Sequence, residues 1–126
     1  MKKYILDGKE VKEVFTMEEW VVNFDRRNNK VAHDTIGDIG STIDVLTVFL
    51  GIDHNFNVLR GKNDDKPILF ETMVFGGKHD QYQERYCTWD EAIAGHERIV
   101  KMAMPTRWER FVQTIKRMFN NPNKHD

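Results

Sequence analysis

Cysteine occurs once in this chain, at Cys87. A lone thiol excludes an intrachain disulfide framework and a Cys-rich zinc site, and it suits a reducing compartment such as the cytoplasm. No apolar run approaches the roughly 18 residues that a membrane-spanning helix needs. The opening MKKYILDGKE places two lysines before no sustained apolar stretch, so it does not read as a secretory leader. An excess of charge of one sign is also missing. A net charge of −1 removes the global basic footprint of a nucleic-acid-binding protein, although a local basic patch is still compatible with it. There is no internal repeat and no low-complexity segment. GxSxG, a Gly-rich phosphate loop, HExxH and a paired Cys-His pattern are all lacking.

What remains is a globular composition, 40% apolar and 31% charged over 126 residues, enough for one domain with a real core. Asp7-Gly8 sits between two short strand-like runs and predicts a hairpin. Thr16 with Glu19, Thr88 with Glu91 and Thr106 with Glu109 are capping boxes, each opening a helix. The first helix is expected from Met17 to about Asn28, with Trp20, Val21 and Phe24 on one face and Phe15 stapled to Trp20. The second carries Trp89, Ala92, Ile93, Ile99, Val100 and Ala103 on its apolar stripe. His96 falls on that same stripe, where a lone histidine is expected to be satisfied by one hydrogen bond. The third helix follows Pro105, with Trp108, Phe111, Val112, Ile115, Met118 and Phe119 in its stripe.

Between the first two helices, KVAHDTIG and the run from Ser41 to Leu50 read as two strands joined by a Gly37-Asp38 turn. Ile43, Val45, Thr47 and Phe49 share one face of the longer strand. Its other face is also apolar near the C-terminal half, which predicts a central position. PILFETMVF is a second central strand, and the more polar QYQERYC belongs near an edge. The order ββ-α-ββββ-α-α with short turns predicts a two-layer antiparallel α+β domain. An N-terminal hairpin and a β-meander are expected under amphipathic helices 1 and 2, over residues 1–104. Residues 105–119 form an extra basic amphipathic helix, and 120–126 a polar tail.

Candidate functional residues lie at the ends of these strands. TVFLGIDHNF closes a buried strand on Asp53, His54, Asn55 and Phe56, and the mouth of a strand is where a scaffold presents binding groups. The competing expectation is that Asp53 and Asn55 cap a turn while Phe56 plugs the core. Glu71 interrupts an apolar strand, with Arg85 on the next strand as its expected buried partner; otherwise it opens into a pocket. His33-Asp34, Asp53-His54, His79-Asp80 and His96-Glu97 invite a metal reading. Adjacent strand residues point to opposite faces, however, so each pair supplies one ligand at most, and no metal and no cofactor is expected. Arg107, Arg110, Lys116 and Arg117 beside the third helix's apolar stripe, Trp108 included, suit docking on a second subunit or an acidic partner.

TVFLGIDHNF, PILFETMVFGG and QERYCTWDEAIAGHE, in that order, resemble a family of small proteins of tailed phages and prophages. The family pattern is similar to TVFLG-DHNF, an apolar LFETM-FGG, then RY-T, acids and GHE. The likeness spans about Thr47 to Glu97. It departs at NVLRGKNDDK, where the family is expected to have a shorter Gly/Pro-rich loop. No activity goes with the family, so the resemblance implies phage origin, action in a bacterial host cytoplasm, and no catalytic residues. By analogy with small accessory phage proteins, the leading expectation is a binding protein that modulates or inhibits a host defence system through a protein partner. The alternatives are an oligomeric sponge for a small nucleotide-type ligand at the Asp53–Phe56 loop, and a metal-assisted hydrolase using His54, Glu71 and His79. A homodimer is expected on account of the third helix.

Overall fold

The fold is that of a computed structural model, which describes residues 2–24, 29–38, 40–54 and 66–120. Strands β1 (Lys3–Asp7) and β2 (Glu10–Val14) form the expected hairpin, with Gly8 at positive φ in its turn. Helix α1 (Met17–Asn23) follows, and Thr16 Oγ1 accepts from the Glu19 amide to cap it. Strands β3 (Lys30–Asp38), β4 (Ser41–Phe49), β5 (Phe70–Phe75) and β6 (Gln83–Tyr86) make an antiparallel meander in that spatial order. Helices α2 (Trp89–Ala103) and α3 (Arg107–Asn120) complete the α+β chain.

β4 and β5 are central and β6 is an edge, as the hydrophobic patterning implies. Ile43, Val45, Thr47 and Phe49 of β4 join Phe70, Thr72 and Val74 of β5 on one buried face. α2 packs along it, with Ala92, Ile99 and Ala103 turned inward. At one end the core is aromatic, built from Tyr4, Phe49, Phe70 and Tyr86; at the other it is aliphatic, built from Ile36, Ile43, Val45, Val74 and Ile99. At Gly95 α2 comes close to β6: a Cβ there would overlap the Tyr86 ring.

The N-terminal elements differ from expectation in the length of α1, in which side chains are covered, and in where hairpin and helix sit. α1 ends at Asn23; Phe24 has left helical geometry, and its ring stacks on Trp20. Phe15 does not staple to Trp20 and is 81% exposed, and Val21 also faces outward. The hairpin is a sheet of its own rather than part of the meander. α1 lies mainly on β1 instead of covering the large sheet beside α2. Gly51, at positive φ just after β4, joins these parts. Its carbonyl accepts from the Tyr4 amide at 2.8 Å and from Trp20 Nε1 at 3.2 Å. The β3–β4 turn also shifts: Asp38 pairs with Ser41, so Gly37 and Asp38 remain in the ladder and Gly40 takes the positive φ.

Candidate functional site

The antiparallel register turns alternate residues to the two faces of the meander, and both faces carry a histidine–aspartate contact. Asp34 stands opposite Val45 and Ala32 opposite Thr47, so Asp34 faces α2. His96 of α2 is 3% exposed and bridges the layers. Its Nε2 meets Asp34 Oδ2 at 2.7 Å and its Nδ1 meets Thr47 Oγ1 at 2.7 Å. Thr47 is hydrogen-bonded in turn to Thr72 on β5. A carboxylate only accepts, so Nε2 carries the proton toward Asp34. In the neutral ring Nδ1 then accepts from Thr47, which accepts from Thr72. Burial pushes the Tyr86 hydroxyl pKa up, and nearby Thr72 offsets part of that rise, although among the described residues this oxygen has no hydrogen-bond partner.

Asp, His and Thr in this order suggest an activated nucleophile. The surroundings speak against one. Thr47 and Thr72 have no exposed surface, so no carbonyl or phosphoryl group can reach either oxygen. The chain of contacts satisfies buried polar groups and fixes α2 on the sheet, from an accessible carboxylate at β3 to the middle of β5. His96 thus makes two side-chain bonds where one was expected.

The opposite face is built from His33 and Thr35 of β3, Asp44, Leu46 and Val48 of β4, Glu71, Met73 and Phe75 of β5, and Gln83 and Arg85 of β6. Neither α1 nor α3 packs along it. Its apolar centre is Leu46, Val48 and Met73, half-buried among their neighbours, with Phe75 more exposed. On one flank Asp44 Oδ1 accepts from Thr35 at 2.7 Å and contacts His33 Nε2 at 2.9 Å. The Thr35 hydrogen bond, then the His33 contact, hold the Asp44 carboxyl below its ordinary pKa. On the other flank Arg85 Nε donates to Glu71 Oε2 at 2.8 Å. The expected pair therefore forms, but not as a buried one. Arg85 is 41% exposed and Glu71 15%, because this face has no second layer among the described residues.

Asp53 and His54 are occupied by their own backbone. Asp53 Oδ1 accepts from the Ile68 amide at 2.9 Å, and His54 Nδ1 lies 2.7 Å from the Ile52 carbonyl oxygen. The His54 amide donates to the Ile68 carbonyl, extending the β4–β5 pairing past Gly51. Asp53 thus bonds backbone as the capping expectation has it, but across to the start of the next strand segment and not within a local turn, and it is His54 that bonds locally. Asn55 and Phe56 lie outside the described residues. His79 sits in the β5–β6 turn, at the far end of β5 from His54, so the His54, Glu71 and His79 of the hydrolase expectation are spread along a whole strand. Among the described residues, no three His, Cys, Asp or Glu side chains are grouped to hold a metal ion.

α3 crosses the end of the sheet that bears the hairpin tips. Thr106 and Glu109 form a reciprocal capping box at its start. Lys78, in the β5–β6 turn, donates to Glu109 Oε1 at 2.6 Å, and the Arg117 guanidinium lies against Gly40 in the β3–β4 turn. Arg107, Arg110, Lys116 and Arg117 are exposed; the Trp108 side chain lies outside the described detail. The Asp34–His96–Thr47 chain escaped the sequence reading because its members are 62 and 49 residues apart. The one available signal was a histidine on an apolar helical stripe beside threonines on apolar strand faces. Comparison of the chain with family models, with curated proteins and with solved structures found no match.

Proposed function

We propose that this chain is a non-catalytic binding protein that grips an amphipathic segment of a protein partner with the sheet face turned away from α2. One observation carries the reading. Leu46, Val48, Met73 and Phe75 form an apolar centre, flanked by the His33–Asp44 and Arg85–Glu71 contacts, on a face that no described helix covers. An apolar centre with a polar, charged rim is the anatomy of a protein–protein interface. The paired rim charges leave an incoming chain free to exchange them for its own acids and bases. The ordered strings from Thr47 to Glu97 support phage origin. By class analogy the partner is then a host protein, met in the bacterial cytoplasm and belonging to a defence system. The nucleotide-sponge alternative loses support, because Asp53 Oδ1 and His54 Nδ1 are each taken by a backbone group.

The test is affinity capture of the full-length chain from its bacterial host, followed by native mass spectrometry. Wild type should retain a protein at a fixed ratio, and Leu46→Lys with Met73→Lys should lose it while keeping the native circular dichroism spectrum. Equal capture by the variant would move the binding surface elsewhere. A bound small molecule in place of a protein would revive the sponge.

A further inference from the structure

α3 displays Phe111, Ile115, Met118 and Phe119 to solvent, the last 84% exposed, among Arg107, Arg110, Lys116 and Arg117. α1 and the residue before its cap display Phe15, Met17, Val21 and Val22, the last 82% exposed, among Glu18 and Glu19. Glu10 and Glu13 of the adjoining β2 are exposed as well, while the exposed Lys12 of that strand is paired with Asp7. Among the described residues these are the two large apolar displays outside the sheet, and they carry opposite charge. The whole chain has a net charge of −1, so with basic α3 set aside the remainder is acidic. Leaving these eight large apolar side chains 38% to 84% exposed forfeits a substantial part of their burial free energy.

α3 cannot cover its own α1. α3 is fastened at the hairpin tips through Lys78–Glu109 and the approach of Arg117 to Gly40. α1 is fastened at Gly51, beyond the other end of β4. The nine residues of β4 separate the two by about 30 Å. We infer that the occupant is a second copy of this chain: basic, apolar α3 of each protomer seats on acidic, apolar α1 of the other. Two such contacts related by a two-fold axis close the assembly, since each protomer offers both halves. The sheet face proposed for the partner is a separate surface, so either proposal can fail alone.

Charge exchange on the full chain tests this. Analytical ultracentrifugation at tens of micromolar should show a dimer for wild type. Lys116→Glu with Arg117→Glu, and separately Glu18→Lys with Glu19→Lys, should each weaken the dimer at least tenfold. Mixing the two variants should restore it as a heterodimer, because both α1–α3 contacts are then complementary. Should the lysines unfold α1, Val22→Asp and Phe119→Asp probe the same contact away from its cap. A monomeric wild type, dimers indifferent to all these changes, or a mixture that stays monomeric would each overturn the inference.

Discussion

The two faces of the meander hold the same chemical contact in different settings. His96–Asp34 and His33–Asp44 are both imidazole–carboxylate pairs, at 2.7 and 2.9 Å. The first histidine lies under α2 with its second nitrogen on Thr47, and the second lies on an open sheet surface. Distance alone therefore ranks them equal, whereas burial sets them far apart. Under the helix a lost partner leaves polar atoms that water cannot reach, while on the open face water replaces it at once.

His96→Ala should be the most damaging change. It strips Thr47 of a partner, frees Asp34 and opens a cavity against β4, at a cost of about 3 kcal/mol. Urea unfolding would show it as a fall in midpoint without a change in slope. Thr47→Val should cost about 1–2 kcal/mol, since it leaves His96 Nδ1 and Thr72 Oγ1 short of a bond. Thr72→Val added to it should cost less than the sum of the singles. An additive double-mutant cycle would mean that the threonines do not act as one network.

On the open face the effects should shrink. Glu71→Gln should cost about 0.5–1 kcal/mol, as befits a pair that water reaches, and not the several kcal/mol expected of a buried pair. His33→Ala should move the unfolding midpoint least. Its signature is instead in pH. The folded Asp44 carboxyl titrates below its ordinary range, mainly through Thr35 and then His33. Its contribution is therefore complete above the ordinary carboxylate pKa and is lost as pH falls through the lowered value. Thermal melts between pH 5 and 2, wild type against His33→Ala, should converge at the acid end. Curves that stay parallel would remove His33 from the account.

Local signals in the sequence were read well, and contacts between distant segments were not. The Asp7-Gly8 turn, the threonine caps and the alternation of β4 are contained within a few residues each, and all three appear in the fold. The Glu71–Arg85 pair was also legible, because neighbouring strands of a meander fix the register. Its exposure was not, since that depends on whether a second layer covers the face. The end of α1 was not legible, because Trp20 and Phe24 suit one helical face by spacing, whereas the helix stops at Asn23 and Phe24 stacks on Trp20 from outside it. Phe15 looked like a staple by position, but position does not say on which side the hairpin will lie. Of the site residues, Asp53 and His54 were singled out for their chemistry, and backbone groups claimed that chemistry first.

The Gly51 carbonyl holds β1 and α1 with its two acceptor positions. A side chain there would strike the Phe24 ring, which lies 2.6 Å from where a Cβ would stand. Hairpin, helix and meander thus share one backbone oxygen, which bears on cooperativity. The Tyr4 amide cannot exchange its hydrogen without releasing the hairpin from β4, and that motion also loosens the seat of Trp20. Hydrogen exchange at Tyr4 and at the Trp20 indole should therefore follow one opening event, in which the N-terminal hairpin and α1 detach as a unit while the meander under α2 stays closed.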